Sequence, residues 1–97
     1  MDLVLNFVKE AAKGRPEIRQ ILLFGSRARG DHHPRSDYDL AIDAPGISDL
    51  TWSEWALELK EKAPTLCGID LIRTDHELSK ELLKAISTEG VLIYERK

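Results

Sequence analysis

The sequence predicts a small α/β protein of the α+β type, in which a short mixed β-sheet is flanked by helices. Three observations lead to this prediction. Apolar runs of strand length alternate along the chain with amphipathic segments of helical spacing. Glycine, proline and helix-capping residues separate these runs. The chain has 97 residues and 42% hydrophobic content, enough for one core, so we expect a single domain over residues 1–97.

The N-terminal part is predicted to form a helix followed by the first strand. Apolar residues between positions 3 and 11 have the spacing of one helix face, and Gly14 and Pro16 are expected to end that helix. Ile21–Phe24 is a continuous apolar run, which is typical of a strand covered on both faces. We therefore expect this strand to lie inside the sheet.

A turn, a basic loop and a second strand come next. Gly25 allows a sharp turn and the close approach of a ligand, and Ser26 is a candidate N-cap for a short helical turn. Residues 38–43 have strand character, and Ala44, Pro45 and Gly46 provide turn chemistry after them.

A second long helix is predicted from Thr51, where residues 51–54 match a capping box, up to Pro64. Trp52 and Trp55 lie on its apolar stripe. A stripe with this spacing is most often core, although two tryptophans are also suited to stacking on a base or contacting a partner.

The C-terminal part is predicted to continue as strand, helix and strand. Residues 69–72 are the third strand, and Thr74–Glu77 is read as a capping box that opens a helix ending near Gly90. The last strand is Val91–Tyr94, and the charged tail 95–97 is expected to fray. The residues expected to point inward from the last helix are Leu78, Leu82, Leu83 and Ile86.

Composition excludes several classes of function. The net charge of −3 argues against broad, sequence-independent binding of nucleic acid. No apolar run approaches the roughly 20 residues of a membrane span, and the N-terminus does not resemble a signal peptide. The lone Cys67 excludes an intrachain disulfide and indicates a reducing compartment, so a cytoplasmic location is expected. We interpret Cys67 as a core thiol.

The turn after the first strand is predicted to bind phosphate. The start of a helix presents free N–H groups, which attract phosphate oxygens, and Gly25 and Ser26 stand at that point. Arg27 and Arg29 make the loop locally positive in a chain that is otherwise acidic, and either arginine is suited to a charge-assisted contact with phosphate.

Three acids are predicted to hold a metal. Asp37 and Asp39 are two residues apart, so in a strand they point to one face about 6.6 Å apart, where they repel unless a cation lies between them. Asp70 interrupts an apolar strand. It either pairs with an arginine such as Arg73 or lies beside the other acids as a third carboxylate, and we favour the second interpretation because buried charges are paired or bind metals.

A phosphate-binding turn and three carboxylates suit phosphoryl transfer, which needs positioning and charge neutralisation. Two Mg²⁺ ions, held by Asp37, Asp39 and Asp70, would stabilise the attacking and leaving oxygens. Asp70 would also accept the proton of an attacking hydroxyl.

Ten residues separate Ser26 from Asp37. The segment from Gly25 to Gly30, followed after this gap by Asp37-Tyr38-Asp39-Leu40, resembles the signature of the minimal nucleotidyltransferases in the DNA polymerase β-like superfamily. This resemblance implies Mg²⁺-dependent transfer of a nucleoside monophosphate from a nucleoside triphosphate. Minimal members are typically encoded beside an all-helical HEPN protein, with which they form a toxin–antitoxin pair. The resemblance thus implies an antitoxin that binds its HEPN toxin as a hetero-oligomer.

We expect an enzyme that transfers AMP from ATP to a hydroxyl of that partner, namely that of a tyrosine. Two alternatives stay open. The first is a non-catalytic antitoxin that masks the HEPN ribonuclease, and the second is a nucleotidyltransferase for a small molecule such as an antibiotic. The absence of a second domain to form an acceptor pocket disfavours the last of these. No direct nucleic-acid or membrane partner is expected.

Overall fold

In the computed structural model, which describes residues 2–96, four helices flank a four-stranded mixed sheet. The strand order is β3-β2-β1-β4; β1 is antiparallel to both of its neighbours, and β2 and β3 are parallel. This confirms the predicted fold class. No helix within residues 2–96 is long and apolar enough to cross a membrane. The elements are α1 (Leu3–Lys13), β1 (Gln20–Phe24), α2 (Ser26–Arg29), β2 (Tyr38–Asp43), α3 (Asp49–Lys62), β3 (Ile69–Arg73), α4 (Lys80–Glu89) and β4 (Val91–Glu95).

One face of the sheet forms the core. Ile21 pairs with Ile42, and Leu23 pairs with Leu40, so these four side chains share a face because side chains alternate along each strand. They belong to one buried cluster with residues of α1 and α3, including Trp55, which confirms that the tryptophan stripe is core. Tryptophan burial is among the largest apolar contributions a single side chain makes to a core.

The other face is divided into two halves. α4 packs against β1, with Leu22 close to Gly90 at the end of that helix. β2 and β3 form the other half, and on this face they present Asp39 and Asp70. The acids therefore lie on the side of the sheet opposite the buried cluster.

Both long C-terminal helices begin at a different residue from the predicted one. α3 is capped by Ser48, whose Oγ accepts a hydrogen bond from the Thr51 N–H at 3.1 Å, so the predicted cap at Thr51 is wrong. α4 is capped by Ser79, not by Thr74. Thr74 instead donates its N–H to the Ile42 carbonyl at 3.0 Å, because the ladder between β2 and β3 continues past Arg73.

The prediction for the inward side of α4 was wrong at Leu83, whereas Leu82 and Ile86 are half-buried. None of the residues of α4 is buried, and the Leu83 side chain is 52% exposed. Leu78 precedes the helix. Because α4 covers only part of one sheet face, its apolar stripe stays partly open to solvent.

The expected fraying of the tail does not extend to Arg96. Its guanidinium donates hydrogen bonds of 3.1–3.4 Å to four carbonyl oxygens around the end of α1, and its N–H donates to the Arg19 carbonyl at 2.8 Å. The tail is therefore tied to the N-terminal helix up to that residue, whereas Lys97 lies outside the described residues. The four accepting carbonyls belong to Ala12, Lys13, Arg15 and Ile18.

Candidate active site

The turn after β1 is built on Gly25. Its φ of 78° and ψ of −160° lie in a region that is essentially reserved for glycine. A Cβ at this position would also collide with the carboxylate of Asp39. Gly25 is thus required both for the backbone conformation and for the close approach of the turn to the second strand.

The short helix α2 begins directly at Ser26. Gly25 is its N-cap and no side chain caps the helix, so the predicted N-cap role of Ser26 is wrong. Ser26 is the first helical residue, and its carbonyl accepts the N–H of Gly30 at 2.9 Å. The phosphate-binding roles of Gly25 and Ser26 remain predictions.

Arg27 holds the loop that leads to the acids. Its Nε donates to the Ser36 carbonyl at 2.9 Å and its Nη2 donates to the Pro34 carbonyl at 3.2 Å. The guanidinium also lies 3.9 Å from the centroid of the Tyr38 ring, a cation–π geometry. Because these contacts already engage the guanidinium, the geometry favours a structural role for Arg27, and its predicted contact with phosphate stays a prediction.

Arg29 lies in an exposed network of charges. Its Nε donates to Asp31 at 3.1 Å and its Nη1 donates to Glu89 at 3.0 Å. The hydrogen bonds to these two carboxylates, Asp31 first, raise the pKa of the Arg29 guanidinium. Burial and the carboxylate of Asp70 raise the pKa of the Asp39 carboxyl, and the positive charge of Arg29 opposes part of that rise.

Asp39 and Asp70 are directly paired across the parallel strands β2 and β3. Asp39 is half-buried and Asp70 is exposed. Burial raises the pKa of the Asp39 carboxyl, and the carboxylates of Asp70 and then Asp37 raise it further. A cation would neutralise the two carboxylates that face each other here, and their oxygens are ligands of the kind that suits Mg²⁺.

Asp37 stands one step away from that pair. It precedes β2, its side chain is exposed, and its Oδ1 accepts the Gly68 N–H at 3.1 Å, at the entrance to β3. Among residues 2–96, no group of three or more side chains of metal-binding type lies close enough together to hold an ion. The structure thus brings Asp39 and Asp70 together, with Asp37 beside them and partly engaged by the backbone.

The alternative partner for Asp70 is excluded. Arg73 lies on the buried face of β3, where it bonds to Asp49 and Asp75, each at 2.9 Å, and to the Ile47 carbonyl. Residues three apart in a strand point to opposite faces, so the Arg73 guanidinium and the Asp70 carboxylate are on different sides of the sheet. Asp70 therefore pairs with Asp39 and not with Arg73. Its side chain is exposed, and not buried as the sequence suggested.

A cleft of about 620 Å³ opens next to Asp37. Its volume is within the range of small-ligand sites. Leu66 lines the cleft with a fully exposed side chain. The sequence did not indicate this position, because an isolated leucine in a loop carries no local signal. Cys67 is half-buried beside it, only partly as expected of a core thiol. The cleft is lined by Pro34, Arg35, Asp37, Leu66, Cys67 and Gly68.

The sheet, its helices and the strand-turn-helix unit at Gly25 define a nucleotidyltransferase fold. Residues 6–97 match the family described as polymerase beta, nucleotidyltransferase, and the chain belongs to that family. The resemblance to this superfamily seen in the signature is thus confirmed, and the chain is placed among the nucleotidyltransferases.

Several solved structures share the fold. A crystal structure of a toxin–antitoxin with AMP-PNP is 24% identical, with a TM-score of 0.75 over 96% of this chain and 74% of that chain. The toxin–antitoxin MntA-HepT is 21% identical, with a TM-score of 0.70 over 99% of this chain and 74% of that chain. A protein from Shewanella oneidensis is 15% identical, with a TM-score of 0.70 over 98% of this chain and 72% of that chain. No curated protein matches the chain.

Proposed function

We propose that this chain is a Mg²⁺-dependent nucleotidyltransferase and acts as an antitoxin. It transfers AMP from ATP to a tyrosine hydroxyl of a partner HEPN toxin. The observation that carries the proposal is the pairing of Asp39 with Asp70 on a sheet face beside the Gly25 turn. Membership of the nucleotidyltransferase family supports the reaction class. The toxin–antitoxin structures of the same fold, one of them with AMP-PNP, support the partner and the nucleotide.

In this proposal the acids divide the work. Asp37 and Asp39, with Asp70, would hold Mg²⁺, which when bound supplies charge neutralisation for phosphoryl transfer. The partner's hydroxyl oxygen forms a bond to the α-phosphorus, the bond from that phosphorus to the bridging oxygen breaks, and pyrophosphate leaves. The exposed carboxylate of Asp70 accepts the hydroxyl proton.

The turn would hold the rest of the nucleotide. Gly25 would let the triphosphate approach the backbone of the turn, the hydroxyl of Ser26 would contact it, and Arg29 would add a charge-assisted bond. Arg27 would serve mainly by fixing the loop before Asp37.

The acceptor in this proposal is a second protein, and the working assembly is a hetero-oligomer in the cytoplasm. The competing function is antitoxin activity by binding alone. Two observations favour it: the three acids do not form a metal-binding group within residues 2–96, and Asp37 is bonded to the Gly68 N–H.

The test is label transfer. The chain is incubated with Mg²⁺ and ATP labelled at the α-phosphate, with and without the HEPN protein encoded beside its gene. The site variant is Asp37→Ala/Asp39→Ala. The matched control is Asp43→Asn, because Asp43 lies on the same strand and face as Asp39 but at the far end of β2.

The proposal expects label on the HEPN protein with the wild type and with Asp43→Asn, and none with the site variant. A complex that silences the HEPN protein without any label would instead establish antitoxin activity by binding. Label on neither protein, together with no complex, would exclude both functions.

A further inference from the structure

Glu89, the last residue of α4, reaches across to the turn after β1. Its Oε1 accepts the Gly25 N–H at 3.0 Å, and its Oε2 accepts a hydrogen bond from Arg29 Nη1 at 3.0 Å. The side chain is 22% exposed. One carboxylate thus bonds to two of the residues assigned to the nucleotide, from a position 64 residues further along the chain.

The sheet leaves a gap that Glu89 fills. Leu23 pairs with Val91, the first residue of β4, so no residue of β4 lies opposite Gly25. An N–H group left without an acceptor in a partly buried place costs free energy. The Glu89 carboxylate supplies that acceptor directly before the strand begins.

The turn also needs support from this side. Gly25 has a backbone conformation that is sparsely populated, and the Asp39 carboxylate leaves no room for a Cβ there. Conformations of this kind persist only where the surroundings hold them. The hydrogen bond from the Gly25 N–H to Glu89 is a contact that holds the turn in this conformation.

We propose that Glu89 is a positioning residue for the nucleotide phosphates: it holds the Gly25–Ser26 turn through the Gly25 N–H and keeps Arg29 beside the acids. This inference rests on the proposed nucleotidyltransferase function. Glu89 itself contacts no phosphate. It acts through the conformation of the turn and through Arg29, and it couples the end of α4 to the site.

The test compares Glu89→Ala and Glu89→Gln with Glu81→Ala, an exposed acid on the same helix, as the matched control. Binding of Mg²⁺ with ATP is measured by calorimetry, transfer as kcat and KM, folding as Tm, and the Gly25 amide by hydrogen exchange. We expect Glu89→Ala to weaken ATP binding and raise KM by about tenfold or more, the range of a hydrogen bond to a charged group, with faster exchange at Gly25.

Glu89→Gln should recover much of the loss, because the amide oxygen of glutamine still accepts the Gly25 N–H, while Glu81→Ala behaves as the wild type. ATP binding unchanged in Glu89→Ala would reduce Glu89 to a structural residue and overturn the inference. Tighter ATP binding would also overturn it, since the carboxylate would then be competing with phosphate. Glu89→Asp, whose shorter side chain cannot span both partners, is read in the same way if Glu89→Ala does not fold.

ATP binding and amide exchange do not depend on transfer. A wild-type chain that binds ATP but labels no acceptor would disprove the proposed function, and the inference about Glu89 would still be decided by the binding of its variants. A wild-type chain that does not bind ATP would overturn both.

Discussion

The Asp39 carboxyl group is harder to ionise than a free aspartate. Burial disfavours its charge, and the neighbouring carboxylates of Asp70 and Asp37 disfavour it further. An acid whose pKa is higher in the folded than in the unfolded state lowers stability when the pH is above both values, because folding then works against the ionised form. The fold therefore keeps Asp39 at a cost that a bound cation would remove.

The first prediction is for Asp39→Asn, which removes the charge and keeps the shape. At neutral pH without Mg²⁺ we expect a Tm equal to or above that of the wild type. Transfer should fall by more than the roughly 10–100-fold typical of residues that only support a metal ligand. Added Mg²⁺ should raise the Tm of the wild type but not of the variant. A variant that melts lower and still transfers label would contradict the assignment.

The residues of the site differ in how far the sequence could reveal them. Asp39 could be placed on one sheet face because alternation along a strand is local, and Gly25 could be recognised because a turn follows an apolar run. Asp37 precedes β2, so alternation does not fix the face on which its side chain lies. Glu89 could not be found in this way, since its partner lies 64 residues away and no periodicity links the two. The use of Arg27 for the loop was equally hidden, because its acceptors are backbone carbonyls, which every residue possesses.

At the scale of elements, the order of strands and helices follows from local patterns, and the starts of the helices do not. Ser48 and Ser79 precede the two helices, but Thr51 and Thr74 also matched a capping box. At Thr74 the competition was decided by the sheet, whose ladder takes the backbone N–H. A sequence pattern cannot show which hydrogen bond wins when one of the two acceptors is distant along the chain.

The second prediction concerns the packing of α3 on α1. The Trp55 side chain is 8% exposed, and its Nε1 donates to the Ala11 carbonyl at 3.3 Å. Trp55→Ala should lower the free energy of unfolding by about 3–5 kcal/mol in chemical denaturation, because it leaves a cavity and an unpaired carbonyl. Trp52→Ala is the control: Trp52 is only half-buried, so its loss should cost less. A Trp55 variant as stable as the wild type that no longer binds its partner would place the stripe at an interface.

At the scale of the whole molecule, two arginines join segments that are distant along the chain. Arg96 ties the end of the sheet to the end of α1. Arg73 joins the end of β3 to Asp49 at the start of α3 and to Asp75 in the turn that follows. Each guanidinium thus holds several segments together through side-chain hydrogen bonds. Neither role could be read from composition, because both arginines look like ordinary surface charges in the sequence.

The last prediction is a change of stability with pH that comes from Asp75. The hydrogen bond from Arg73 lowers the pKa of the Asp75 carboxyl below its usual value. A lowered pKa in the folded state gives stability that is fully present above the unfolded value, about 3.9, and is lost as the pH falls through the folded value. Asp75→Asn should therefore reduce the Tm at neutral pH.

The difference in Tm between wild type and Asp75→Asn should shrink below about pH 4 and disappear once the carboxyl is protonated in the folded wild type. Thermal melts across this range are compared with those of Glu77→Gln, an exposed acid two residues away that controls for the loss of one negative charge. A difference that stays constant with pH would mean that Asp75 supports the turn by its shape and not by its charge. Because Arg73 keeps Asp49 and the Ile47 carbonyl as partners in the variant, the loss should weaken the junction without unfolding the chain.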